Sequence, residues 1–393
     1  MKVLFYHYGS ICEPFIRSAF LESGIDVTDI EDEVTNKSIL QSDCVKRASQ
    51  ALMNGNFDFV FTINFFPTIS DTCNIFKIPY IGWTVDAPVM ELYSQSITNS
   101  CNYIFLFDQL QYQDIAPLNP GHIFYLPLAT DVAFMQSAIA KDVFDSRLRA
   151  DLSFVGSLYT EKCPYDKLQS PSDSLRGYLD GIMEAQLKVY GYYFIEDLLT
   201  DDIVADFKRC MPDYLALKDS PFLTDSAIIS KYYIGNKISS LERVSLMKQL
   251  SKRFPMTIYT NSDTSGIPGI DNRGGVMTRT EMPLVFHYST INLNMTSKGI
   301  RSGIPLRIWD ILGCGGFVIS NYQPEIPEYF SIGEDIEVYE SADDLLYKCS
   351  YYLDHPERAR EIAVNGLENV KNKHTYLHRV LTMLETVFSP KNA

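Results

Sequence analysis

Short apolar runs recur along this chain at intervals that leave room for one helix between neighbours. Residues 3–6, 25–30, 57–63, 79–83, 103–107 and 123–126 read as strands. Between them, 13–23 carries a helical pattern ending at Gly24, 42–54 another ending at Gly55, and 70–76 a shorter one. This rhythm predicts βαβ units, hence a parallel sheet with helices on both faces. Ligands of such sheets lie beyond the carboxyl ends of the strands. His7, Gly9 and Ser10, then Asn64, then Asp86, are therefore expected on one rim.

The pattern restarts at 151–159, DLSFVGSLY, after an irregular stretch. Helical spacing then dominates over 174–193, 195–210 and 226–250, with no strand pattern between about 161 and 253. Strands resume at 256–259, 291–295, 317–320 and 336–339, and 260–273 reads as a turn-rich loop. Helices over 341–353, 356–372 and 375–388 close the chain. With 393 residues the chain is too long for one ordinary domain. The expected division is an N-terminal domain over 1–133, a linker over 134–150, a second domain over 151–374 with a helical insertion at about 161–253, and a final helix in 375–393 packing back toward the first domain.

One stretch stands out for charge. The formal net charge is -15, yet residues 282–309 contain no Asp or Glu and include Lys298, Arg301 and Arg307. This window runs into a helical turn broken by Gly313, Gly315 and Gly316. A cationic loop at a glycine-rich junction suits a phosphate group, which backbone N–H groups and an Arg fork both attract. A solvated basic loop before a tightly packed helix is the other reading. Gly315 and Gly316 serve either ligand approach or packing, and packing suits Gly316 better.

The acidic balance argues against a nucleic acid polymer as partner, since that needs a basic face. The eight Cys are scattered singly without metal-ligand spacing, which fits a reducing cytoplasm. The N-terminal run is a strand and not a signal peptide, and no apolar segment approaches the ~20 residues of a membrane span. His374 and His378 lack an acidic partner, so no metal site is expected. Asp86, in IGWTVDAPVM, suits a general base or an Asx-type turn before proline. His7 suits a base or a satisfied core histidine.

Three segments carry a family resemblance: DLSFVGSLY, then STINLNMTSKGIRSGIPLRIWDILGCGGFVISNYQPEIPEYF, then YESADDLLYKCSYYLDHPERAREIAVNG followed by HTYLHR. Together they resemble the CgeB-like, spore maturation type of bacterial glycosyltransferase. GWTVDAP and YIFLFDQLQYQDIAPLNPGHIFYLPLATD resemble the domain of unknown function that often precedes this module. The resemblance spans nearly everything except 161–253. It implies an α/β GT-B fold, two Rossmann-like domains facing across a cleft, with the helical insertion in the second.

The resemblance also implies a cytoplasmic, metal-independent transferase moving a sugar from a UDP-, GDP- or dTDP-linked donor to a protein or glycan acceptor, without a bound cofactor. Arg307 would contact the diphosphate and Asp310 the donor ribose. Lys298, Arg301, Gly303, Asn294, Gly315, Gly156, Tyr259 and Asn261 complete the expected donor site. Gly9, Ser10, Asn64 and Trp83 are expected to meet the acceptor. Asp86, then His7, then Glu13 are the expected bases for an inverting route. Many retaining relatives carry two Glu here; this chain has Asp310 at the second position and Ser302 near the first. A nucleotide-sugar epimerase or hydrolase, and a silent sugar-binding scaffold, are the competing functions. A homodimer through the helical insertion is a further expectation.

Overall fold

The computed structural model describes residues 1–141, 145–161, 163–216 and 220–389. Residues 142–144 of the expected linker, 162 and 217–219 of the expected helical segment, and 390–393 lie outside the described residues. The chain packs as two units. The first comprises the described residues of Met1–Ala129, Leu217–Leu223 and Lys373–Ala393; the second comprises those of Thr130–Ala216 and Thr224–Asn372.

In the first unit β1 (Lys2–Tyr6), β2 (Asp26–Ile30), β3 (Phe59–Ile63), β4 (Tyr80–Trp83), β5 (Asn102–Leu106) and β6 (Ile123–Tyr125) form one sheet in the order β2-β1-β3-β4-β5-β6. Every pairing is parallel, with Val3 opposite both Val27 and Phe59. The sequence explains which strands lie inside. FVFTI of β3 is buried at every position, whereas DVTDI of β2 keeps polar residues at the edge. A parallel strand covered by helices on both faces has no polar side to show. Strand order reverses between β1 and β3, so the loops after these strands diverge and leave a crevice at their carboxyl ends.

The final helix, Tyr376–Phe388, belongs to this unit and packs on the helix Glu13–Glu22. Tyr376 stacks on Phe15 with ring centres 5.7 Å apart, and Phe388 meets Phe59. Its Arg379 donates to the carbonyls of Pro127 and Leu128 and to His374 Nδ1. Burial, then the Arg379 charge, lowers the His374 pKa to about 3, so this histidine stays neutral.

In the second unit β7 (Leu152–Val155), β8 (Met256–Tyr259), β9 (Ile270–Asn272), β10 (Ile291–Asn294), β11 (Val318–Asn321) and β12 (Glu337–Tyr339) run in the order β12-β11-β10-β7-β8-β9, again all parallel. This is the doubly wound order with its switch point between β7 and β10. Strand β9 lies within residues 260–273, expected as loop. Its two exposed polar residues, Asp271 and Asn272, hide the strand pattern because it is an edge strand.

Between β7 and β8 the described residues are helical or irregular, as the spacing predicts. The last of these helices, Gly235–Leu250, is preceded by a π-helical stretch, Ile228–Ile234. It is the crossover helix of the first βαβ unit: Leu246, Met247 and Leu250 are buried in the core with Leu152, Ile258 and Leu293. Residues from 134 onward, expected as linker, begin inside the helix Val132–Ala140, which packs on the helices Met282–Tyr288 and Leu306–Gly313 of the second unit. No cysteine is disulfide-bonded. Among the described residues no helix is long and apolar enough to cross a membrane.

Candidate functional site

At the carboxyl ends of β7 and β8 the second unit opens a pocket of about 260 Å³. Its wall includes Gly156 and Ser157 after β7, Tyr259 to Ser262 after β8, Gly275, Glu161 and Arg307. Gly156 donates its N–H to Tyr259 O at 3.2 Å, joining the two loops at the pocket floor. The Tyr259 ring is buried and its hydroxyl donates to Arg147 O at 2.7 Å, which commits the phenol to the structure. Asn261 Oδ1 accepts from Gly275 N at 3.2 Å, and a Cβ on Gly275 would lie 2.8 Å from that oxygen.

Arg307 enters from the first turn of the helix Leu306–Gly313. Its guanidinium lies 5.4 Å from the Phe286 ring centre and meets Met282 Sδ. No carboxylate among the described residues lies within ion-pair distance of it. Burial lowers its pKa, with the Asp310 charge opposing and the Arg243 charge assisting. A half-buried guanidinium facing a pocket without a carboxylate partner is poised for an anionic ligand, because such a charge costs less once paired.

Sequence reasoning missed Arg243. Its guanidinium is buried and donates to Ser157 O at 2.6 Å and to Met295 O, tying the loop after β7 to the loop after β10. It lies 4.5 Å from the Tyr159 ring. Both loops flank the switch point, and the loop after β7 that Arg243 holds also supplies Gly156 and Ser157 to the pocket wall. Nothing local marked it, since it sits in a helical pattern beside Glu242. Glu161 was also missed as a site residue, although it lines the same pocket as Arg307.

Several expected donor residues are placed elsewhere. Lys298 is buried and paired with Glu242 at 2.9 Å, and it faces the Tyr190 ring. A neutralising partner from a distant helix is invisible in a local charge count. Asp310 is buried, 4% exposed, and accepts from Thr130 Oγ1 at 3.3 Å rather than lining the pocket. Burial raises its pKa to about 7, against the opposing pull of Arg307 and Thr130. Asn294 lies within the sheet, donating to Thr296 Oγ1 and Ser320 Oγ at 3.0 Å each. Gly303 is buried and its carbonyl accepts from Gln323 Nε2. Arg301 is half-buried near the half-buried Tyr193 and is not on the pocket wall.

Gly315 has φ +68, ends the helix Leu306–Gly313 and lines a different pocket, with His287 and Arg360 at the opposite ends of the strands. A Cβ on Gly316 would meet Phe286 O at 2.4 Å, so Gly316 is a packing glycine. Gly156, Tyr259, Asn261 and Arg307 are the expected donor residues that the pocket brings together.

The rim of the first unit holds a second cluster. Asn64, with φ +59, follows β3. Its Nδ2 donates to Asp86 Oδ2 at 2.8 Å and to Tyr8 Oη at 2.9 Å, and its Oδ1 accepts from Val85 N at 3.0 Å. Asp86 is exposed and has no ion-pair partner among the described residues. One carboxylate oxygen is held and the group remains open to solvent, as a general base requires.

The alternatives to Asp86 lie inside the fold. His7 is buried between Glu13, 3.2 Å from Nδ1, and Asp29, 2.8 Å from Nε2. Burial lowers its pKa, but the two carboxylates outweigh burial and the net shift is upward. Burial pushes the Glu13 carboxyl up, while hydrogen bonds from His7 and the Tyr8 and Ser10 amides bring the net shift down. Neither ring nitrogen of His7 is left for a substrate, and Glu13 is consumed by the same network. Gly9, with φ +95, is exposed and donates to Glu13, and Ser10 Oγ accepts from Cys12 N. Trp83 is fully buried, its indole donating to Leu126 O at 3.2 Å, so it serves the core and not an acceptor surface.

A family model described as glycosyl transferase-like matches residues 243–385. That span starts at Arg243 and takes in the pocket's Arg307. No curated protein matches the chain. Among solved structures, HepE from Anabaena in complex with UDP and glucose is similar at 9% identity and TM-score 0.55, covering 99% of this chain and 100% of the other. Sucrose-phosphate synthase from Thermosynechococcus elongatus is similar at 9% identity and TM-score 0.56, covering 98% and 97%. A glycosyltransferase from Rickettsia africae is similar at 10% identity and TM-score 0.53, covering 99% of both chains. The architecture is α/β of the GT-B type, two doubly wound units each with its own six-stranded parallel sheet.

Proposed function

We propose that this protein is a glycosyltransferase that takes a sugar from a nucleoside diphosphate donor bound in the second unit. The observation that carries the reading is Arg307: a half-buried guanidinium on a pocket at the strand ends, without a carboxylate within ion-pair distance. The glycosyl transferase-like match and the UDP-bound HepE structure support the same reading. In the transfer an acceptor hydroxyl forms a bond to the anomeric carbon while the bond from that carbon to the diphosphate breaks. Negative charge develops on the leaving diphosphate, where Arg307 and loop N–H groups stabilise it. The acceptor proton passes to a base, for which Asp86, the one exposed group of the three expected residues, is the proposed residue. Charge stabilisation by Arg307 makes the reaction metal-independent in this reading, with a protein or glycan as acceptor.

A thermal-shift screen against UDP-, GDP- and dTDP-sugars tests donor binding, since a ligand of the folded state raises the melting point. One nucleotide class is expected to stabilise, and turnover with it is expected to survive EDTA. No shift with any nucleotide sugar would refute the reading. Free sugar released at the full rate without acceptor would point to the hydrolase instead.

A further inference from the structure

The carboxylate on the pocket wall is Glu161, and the neighbouring loops orient it. Glu161 Oε1 accepts from Ser157 Oγ at 3.1 Å and from Ser262 Oγ at 3.2 Å; Oε2 accepts from Thr160 Oγ1 at 3.1 Å. Ser157 Oγ accepts from Tyr159 N at 2.8 Å, and Ser262 Oγ accepts from Leu158 N at 2.9 Å. Each hydroxyl accepts from one backbone amide and donates its own proton to the carboxylate. Ser262 is 3% exposed, so it does not exchange this bond for water. Burial raises the Glu161 pKa, but hydrogen bonds from its own backbone and the three hydroxyls outweigh this and the net shift is downward. Among the described residues no cation lies within ion-pair distance of it.

A fixed carboxylate with spare lone pairs accepts two hydrogen bonds from a vicinal diol and repels phosphate. Arg307 on the same pocket attracts phosphate. A ligand carrying both a phosphate and a diol satisfies the two together. Asp310, the acid that the family resemblance assigns to the donor ribose, is buried against Thr130. We propose that Glu161 is the specificity-determining residue of this pocket, the group that recognises a vicinal diol of the bound nucleotide sugar. The inference rests on the donor-site reading above.

Calorimetry with UDP, GDP, dTDP, the 2′-deoxy forms of UDP and GDP, and the corresponding glucose conjugates tests it on the wild type, Glu161→Gln, Glu161→Ala and Asp310→Asn. If the diol is that of the ribose, the wild type binds the ribonucleotide about 10- to 100-fold more tightly than its 2′-deoxy form. If it is that of the hexose, the wild type instead prefers the glucose conjugate to the free diphosphate by a similar factor. Either preference collapses in both Glu161 variants and persists in Asp310→Asn. Persistence of the wild-type preference in Glu161→Ala, its loss in Asp310→Asn alone, or absence of any preference in the wild type overturns the proposal while leaving the donor site standing. Failure of the wild type to bind any of these ligands removes the donor site and this inference with it.

Discussion

Arg307 and Lys298 stand in one cationic stretch, yet their environments differ completely. Lys298 is neutralised by Glu242, while Arg307 keeps its charge for the pocket. Asp310 lies one helical turn beyond Arg307, buried deeply enough to raise its pKa from 3.8 to about 7. A carboxyl with a raised folded pKa favours the folded state below its unfolded value, and that stability is lost as pH rises through the folded value. Asp310→Asn is therefore expected to gain stability relative to wild type by about 1.4 kcal/mol per pH unit between roughly pH 4 and 7, then to level off. Urea denaturation across that range checks it; a difference independent of pH would contradict the burial of this acid. On the first unit's rim, Asp86→Asn is expected to lower turnover by about 10²- to 10⁴-fold while leaving nucleotide affinity unchanged. Rate and calorimetry on the same preparation separate these effects, and a variant with normal turnover would remove Asp86 as base.

The elements that were legible in the sequence are those with one-dimensional signals. Apolar runs such as FVFTI and LSFV mark buried parallel strands, and glycines at helix ends mark their limits. Strand β9 lacked that signal because it is a polar edge strand. Arg307, Asn261 and Gly156 were legible because strand–loop junctions locate a pocket before its shape is known. Arg243, Glu161 and the pairing of Lys298 were not, because each depends on which loop or helix comes to lie beside it. The crossover helix Gly235–Leu250 shows the point. It supplies Glu242 to the loop after β10 and Arg243 to both loops at the switch point. Lys298→Met would leave Glu242 buried without its cation, at a cost of about 3–5 kcal/mol. Thermal melting is expected to show a large loss of stability for this variant; an unchanged melting temperature would mean the pair is not buried as described.

At the scale of the whole molecule, two units solve the same problem with different strand orders, one reversing between β1 and β3 and the other between β7 and β10. Each carries its polar cluster beyond the carboxyl ends of its own strands. The first offers an exposed carboxylate fixed by Asn64, and the second offers a guanidinium and an oriented carboxylate on one pocket. In the proposed reaction the chemistry is divided accordingly: a proton acceptor on one unit, anion and diol recognition on the other. The central claim is that the second unit's pocket holds the diphosphate of a nucleotide sugar through Arg307. Titration calorimetry of UDP-, GDP- and dTDP-glucose into the wild type and into a folded Arg307→Ala variant tests it most directly. One of these donors is expected to bind the wild type, and the substitution to weaken it by about 10- to 100-fold. Equal affinity for both proteins, or no binding by the wild type, would contradict it.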